Sequence, residues 1–261
     1  MRYNIFLLVL VLGLCYSVLG QDANGDQNAD DSSSTNDSDN SDGRSKSEDD
    51  IYNICENTEK KACVKNFFRT SFQCFVARFD DRQPVYRKRQ TAYVPSVNLT
   101  LITTRDVITF SGSEIKNFYM NSKTNNLVMT VSFESIRIES GFTYYVISQR
   151  GQEPVIVGDS VNVTYTPTLT AIIPIINYKI DMKSASVHAY LYDASPKYEI
   201  GPGIAESSNP VVKKTVEALL SNLPTVLQEV FLTEAKSFFL SYFQSQICIF
   251  GVPLYTRIQP Y

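Results

Sequence analysis

Nucleophilic catalysis near neutral pH needs a base poised to take a proton, and this chain of 261 residues holds a single histidine, His188. It sits in SASVHAYLY, a strand-like run, and no G-x-S-x-G turn occurs to present a serine beside it. Ser184 and Ser186, the serines beside it in sequence, lie on backbone unsuited to attack, so His188 reads as a structural or surface residue. Gly201-Pro202-Gly203 is glycine-rich but lacks the lysine and hydroxyl of a phosphate-binding loop. The acidic pairs, such as Asp80-Asp81, fall in loops and define no glycosidase geometry. Catalysis, cofactor binding and metal binding therefore have no legible residues here.

The cysteines carry a different chemistry. Five occur; Cys15 lies in the N-terminal apolar stretch, which leaves Cys55, Cys63, Cys74 and Cys248. None is spaced C-x-x-C, so zinc is disfavoured, and an even set suggests two disulfides with three possible connectivities. The preferred pairing joins Cys55 to Cys63 as a local loop and Cys74 to Cys248 as a long-range clamp. On chain-entropy grounds, a clamp closing about 175 residues is worth at most ~5 kcal/mol.

The oxidising compartment that disulfides need is matched by the start of the chain. Residues 1–20, MRYNIFLLVLVLGLCYSVLG, have the basic, apolar and small-residue order of a cleaved secretion signal. No other run is long and apolar enough to span a bilayer. The expected destination is extracellular. Residues 21–50 then hold ten acidic residues against Arg44 and Lys46, with no aromatic or β-branched aliphatic side chain. Such a segment cannot bury enough apolar surface to fold, and it lacks the spacing of a calcium loop. Residues 51–261, the expected single domain, carry 21 basic and 17 acidic residues, too mild an excess for nucleic acid.

Sequons at Asn36, Asn98 and Asn162 are credible glycan acceptors in a secreted chain. Arg87-Lys88-Arg89, in a polar connector around Pro84, reads as a solvated loop, with proteolytic processing as the alternative. Sixteen tyrosines and fifteen phenylalanines, with no tryptophan, look like core and interface filling.

The element that positions all this is helical. From Asn209 to Gly251, Leu227, Phe231, Ala235, Phe238, Tyr242 and Phe243 share one apolar face, and Gln228, Glu234, Ser237, Ser241 and Gln244 lie opposite. Asn209 caps the start with Pro210 behind it, and Pro224 kinks the helix or begins a second one. From 223 to 247 a continuous helix would run roughly 37 Å at about 1.5 Å per residue. A shorter helix is expected over Cys63–Phe75, with Val64, Phe67, Phe68, Phe72 and Phe75 on its apolar side.

Between the helices the apolar period is two. Strands are expected at Val97–Thr103, Val107–Ser111, Leu127–Phe133, Phe142–Gln149, Val155–Val157, Ser160–Thr166, Thr170–Ile173 and Ala185–Asp193. Turns fall at Gly112, Asn125–Asn126, Gly151 and Gly158–Asp159. A shift of apolar phase between Phe133 and Ile136 marks a bulge near Glu134–Ser135 that would bend a long strand. The expected fold is α+β: a strongly curved antiparallel sheet wrapped around the long C-terminal helix. A two-layer sandwich with the helix on an outer face is the rival. Phe231, Phe238, Phe239, Tyr242 and Phe243 would either fill the space between helix and sheet or line an apolar pocket there.

Four strings, CENTEKKACVKNFF, NFYMNSKTNNLVMTVSF, SQRGQEPVIVGDS and LPTVLQEVFLTEAKSFFLSYFQSQICIFG, resemble fibrohexamerin, the small glycoprotein of the lepidopteran silk fibroin complex. More distantly, the cysteine pair, curved strands and late helix resemble the juvenile-hormone-binding and takeout-like secreted proteins. The first resemblance covers about residues 51–251, and the acidic segment departs from its pattern. It implies a secreted, glycosylated, non-enzymatic partner that binds fibroin chains non-covalently and keeps them soluble. The second implies an extracellular carrier holding a small hydrophobic molecule between helix and sheet.

Overall fold

The computed structural model describes residues 50–250, apart from 57–58, 78–79, 81–82 and 193–196. Residues 1–20, where a secretion signal is expected, most of the acidic segment and Asn36 lie outside the described residues. In chain order the elements are β1 (Ile51–Asn53), α1 (Lys60–Phe72), β2 (Phe75–Val76), β3 (Val85–Val94), β4 (Leu99–Ser111), β5 (Glu114–Asn121) and β6 (Asn126–Ser132). There follow β7 (Ser135–Ile147), β8 (Val155–Tyr165), β9 (Pro167–Ile176), β10 (Lys179–Ile180), β11 (Ser186–Leu191) and β12 (Lys197–Ile200). The chain closes with α2 (Pro202–Ala205), α3 (Pro210–Ser221), α4 (Leu223–Tyr242), a π-helical turn over Phe243–Ile247 and β13 (Cys248–Ile249).

Two antiparallel sheets form the wrap. One runs β1-β5-β6-β9-β10, with β11 also paired to β9; the other runs β12-β8-β7-β4-β3. They are halves of the same long strands. β4 passes into β5 through Gly112–Ser113, β6 into β7 through Phe133–Glu134, and β8 into β9 through Thr166 alone. The three corners lie side by side, with Phe133 N–H donating to Pro167 O at 3.0 Å and Glu134 N–H to Ser111 O at 3.0 Å. Gly112 takes φ +58° there, a conformation that costs a residue with a Cβ. The apolar phase shift near Glu134–Ser135 is thus a full corner between two sheets rather than a bulge within one ladder.

The strands are longer than their apolar segments suggested. The strand expected at Val97–Thr103 begins at Leu99 and merges with Val107–Ser111 into β4, and Gly158–Asp159 lies within β8 instead of turning the chain. β5 was not anticipated. The basic connector holding Arg87-Lys88-Arg89 is a ten-residue edge strand, β3, and Arg87 points inward. A local irregularity crosses this sheet: Arg105 takes φ +56°, and the β7–β8 register slips between Ser140 and Thr143.

Helix α4 lies where both sheets meet it. Ile108, Phe110, Ile136, Val163 and Tyr165 from one sheet, and Leu127, Met129, Leu169 and Ile173 from the other, share a buried cluster with its apolar face. The wrapped arrangement holds and the outer-face sandwich does not. Pro224 begins α4 as a second helix, while Asn209 caps α3 by accepting from Val211 N–H at 2.9 Å. Glu234, Ser241 and Gln244, expected on a polar outer face, are buried, because the sheets close around the helix from both sides. A second cluster joins α3 to the far half of the β3-β4-β7-β8 sheet through Val212, Val216, Leu219, Leu99, Leu101 and Ile147. Phe75, assigned to the apolar side of the first helix, instead lies in β2 and is 81% exposed.

Disulfides join Cys55 to Cys63 and Cys74 to Cys248. The second ties the residue after the αL cap of α1 to the end of the π-helical turn, beside the β2–β13 pair.

Candidate functional site

The inward face of α4 is aromatic, and each ring has a partner. Phe231 stacks on Phe238 with centroids 5.2 Å apart, and Tyr165 of β8 meets Phe231 at 4.6 Å. Tyr242 meets Phe133 at 4.9 Å and Phe110 at 5.6 Å, while Phe243 meets Phe68 of α1 at 4.9 Å and Phe239 at 5.9 Å. Phe231, Phe238, Phe239, Tyr242 and Phe243 retain at most 1% of their accessible area. A ring lining a water-sized hollow keeps accessible area on the hollow side, and these five rings keep almost none.

A charged cluster that sequence reading missed lies against this aromatic interior. Arg87 donates to the Asp106 carboxylate from Nε at 3.2 Å and from Nη2 at 2.8 Å. Its Nη1 lies 2.9 Å from Glu234 Oε2 and donates to Ser237 Oγ at 3.2 Å. The guanidinium carbon sits 5.0 Å from the centre of the Phe238 ring, a cation–π contact away from water. Asp106 also accepts from Thr103 Oγ1 at 2.7 Å and Ser140 Oγ at 2.9 Å, so its buried charge is well paired. Three elements are joined: β3 through Arg87, β4 through Asp106 and α4 through Glu234.

One cation faces two carboxylates, and the electrostatics follow. Burial pushes Glu234 above the usual glutamate range, Arg87 opposes this, and Asp106 adds to the rise. Tyr165 is raised too, by burial first and then by the neighbouring Glu234 charge. A signal for this cluster was present in the strand period, since Asp106 shares its parity with Ile108 and Phe110 and so faces inward with them.

The other chemical candidates are dispersed. His188 is exposed on β11, an edge strand, with Ser186 Oγ 3.5 Å from Nε2. The Gly201–Gly203 turn receives a carboxylate: Asp159 Oδ2 accepts from Ile204 N–H at 2.8 Å, over space that a Cβ on Gly201 would fill. Asn98 is exposed beside β4, and Asn162 lies on β8, donating to Glu199 Oε2 at 3.3 Å. Among the described residues no helix is long and apolar enough to cross a membrane.

Fold and site together define a disulfide-clasped α+β protein whose two-sheet wrap closes on an aromatic interior pinned by a buried ion cluster. No family model and no curated protein matches the chain. Among solved structures it is similar to Takeout 1 of Epiphyas postvittana, at 13% identity over 70% of this chain and 88% of that chain, with a TM-score of 0.45.

Proposed function

We propose that this chain is a secreted, non-enzymatic assembly protein that binds extended partner chains on its outer surface, silk fibroin chains being the specific partner. The observation that supports this reading is the near-complete burial of the rings that face the sheets. The five rings of α4 and its π-helical turn keep at most 1% of their accessible area and so offer a small molecule almost no surface, which favours binding on the exterior. Exposed aromatics are available there. Tyr190 and Tyr192, 62% and 64% exposed, pack edge to face at 4.7 Å beside the edge strand β11, where a partner backbone can pair.

A second reading, an extracellular carrier of a small hydrophobic ligand, is favoured by one feature. An open groove of about 450 Å³ lies beside α1 and β10, with Phe72, Tyr178, Ile180 and Phe250 among its walls. Native mass spectrometry of protein purified from its source separates the two readings. A complex with fibroin chains is the expected result, and recovery of the protein with a bound lipid and no protein partner would overturn the assembly reading.

A further inference from the structure

The outer face of the β3-β4-β7-β8 sheet changes character at the Arg105 irregularity. On one side it is polar, with Arg137, Glu139 and Asn162 in neighbouring rows. On the other it is apolar. The cross-strand rows there read Tyr93, Thr100, Val146, Ile156 and then Thr91, Ile102, Tyr144, Gly158, with Phe142 in a third row beside Thr104 and the exposed Arg89 at the patch edge. Tyr93 is 49% exposed, Tyr144 43% and Ile156 62%, a patch that normally has an occupant. Phe142 packs edge to face on Tyr144 at 4.8 Å and covers Gly158, so the patch is continuous.

Asn98 stands at the end of this face. It holds φ +49° after the turn Pro95–Val97, is exposed, and begins the sequon Asn98-Leu99-Thr100. Its side chain is held at both ends: Tyr93 O–H donates to Oδ1 at 2.9 Å, and Nδ2 donates to Ser148 O at 2.7 Å. Leu99 is buried beneath it, while Thr100 stays accessible on the outer face.

We propose that Asn98 carries an N-linked glycan and that this glycan covers the apolar outer face, its first sugars lying across Tyr93, Val146 and Ile156. In the attachment, a C–N bond forms between the anomeric carbon and Asn98 Nδ2, and one Nδ2 proton is lost. The sugar's C–O bond breaks, with the electron pair leaving on the pyrophosphate of a lipid-linked oligosaccharide donor, which the secretory pathway supplies. The second Nδ2 hydrogen remains and continues to donate to Ser148 O. The Tyr93 and Ser148 contacts therefore fix the direction in which the sugar leaves the side chain. The apolar ring faces of the sugars and the Tyr93 ring exclude water from each other, which is the occupant chemistry that a tyrosine-rich patch fits. Asn162 has no such setting, being flanked by Glu139 and Glu199 within the paired strands.

The test uses the full chain secreted from eukaryotic cells, before and after enzymatic removal of N-glycans. Glycopeptide mapping is expected to find Asn98 occupied. Tetranitromethane is expected to nitrate Tyr93 several-fold faster after deglycosylation, with Tyr178 and Tyr190, 95% and 62% exposed, as unchanged internal controls. Thr100→Val, which removes the sequon and keeps a strand-compatible side chain, should show the fast Tyr93 rate without enzyme treatment. An unoccupied Asn98 overturns the proposal, as does a Tyr93 rate that is the same with and without the glycan.

Discussion

Replacing Arg87 by methionine isolates the contribution of the buried ion cluster. Methionine occupies much of the arginine stem, so the main loss is the guanidinium, which makes two hydrogen bonds to Asp106 and one contact each to Glu234 and Ser237. Asp106 is fully buried and, among the described residues, would keep Thr103 and Ser140 as side-chain donors, while Glu234 would lose the cation paired with it. Removing one partner of a buried pair costs about 3–5 kcal/mol, because the remaining charge stays desolvated. Urea denaturation at neutral pH should therefore lose that amount for Arg87→Met. Adding Asp106→Asn and Glu234→Gln should restore most of it, since no bare charge is then buried. Glu234→Gln alone should be neutral or stabilising, because it leaves Arg87 and Asp106 as a matched pair. The pH dependence has a defined sign. Glu234 titrates above its ordinary value of 4.5 in the folded chain, so folding takes up a proton between the two values. Its contribution to stability is complete below the unfolded value and is lost as pH rises through the folded one. Arg87, Asp106 and Tyr165 are the polar groups that face it, and Glu234→Gln should flatten the stability profile in that window. An Arg87→Met protein within about 1 kcal/mol of wild type would refute the assignment of a structural charge cluster.

Three further outcomes are expected. Cys248→Ser should cost about 2–5 kcal/mol in the same denaturation assay, and a Cys55–Cys248 crosslink in a non-reducing peptide map would contradict the pairing. Phe231→Ala, deleting a ring packed between Phe238 and Tyr165, should cost about 3–5 kcal/mol; a loss under 1 kcal/mol would indicate a slack interior. Asn209→Ala should cost about 0.5–2 kcal/mol by removing the acceptor for Val211 N–H, and Asn209→Asp should retain most of the stability, as read by thermal melting.

Local physics made several features legible in the chain itself. A missing N–H is harmless in the first turn of a helix, so Pro210 marks a helix start without reference to anything distant, while Pro224 left a kink or a second start open until the structure began α4 there. The apolar face of Leu227, Phe231, Phe238 and Tyr242 and the period-two runs Leu127–Val131 and Tyr145–Ile147 likewise depend only on how side chains leave a helix or a strand. Those patterns pointed to a late helix packed on antiparallel strands, with the wrapped sheet preferred and an outer-face sandwich as its rival. What lay opposite each face was decided by tertiary structure. Arg87 sits in a basic run that reads as solvated, and only the return of β4 and α4 brings Asp106 and Glu234 to it across 19 and 147 positions of chain. The corner at Phe133–Glu134 shows in sequence as a one-residue phase shift, which a bulge and a sheet-to-sheet turn share. Its angle comes from the two neighbouring strands that bend beside it. The burial of Glu234, Ser241 and Gln244 has the same origin. A helix alone defines which residues share a side, but a second sheet is needed to take the water away from the polar one.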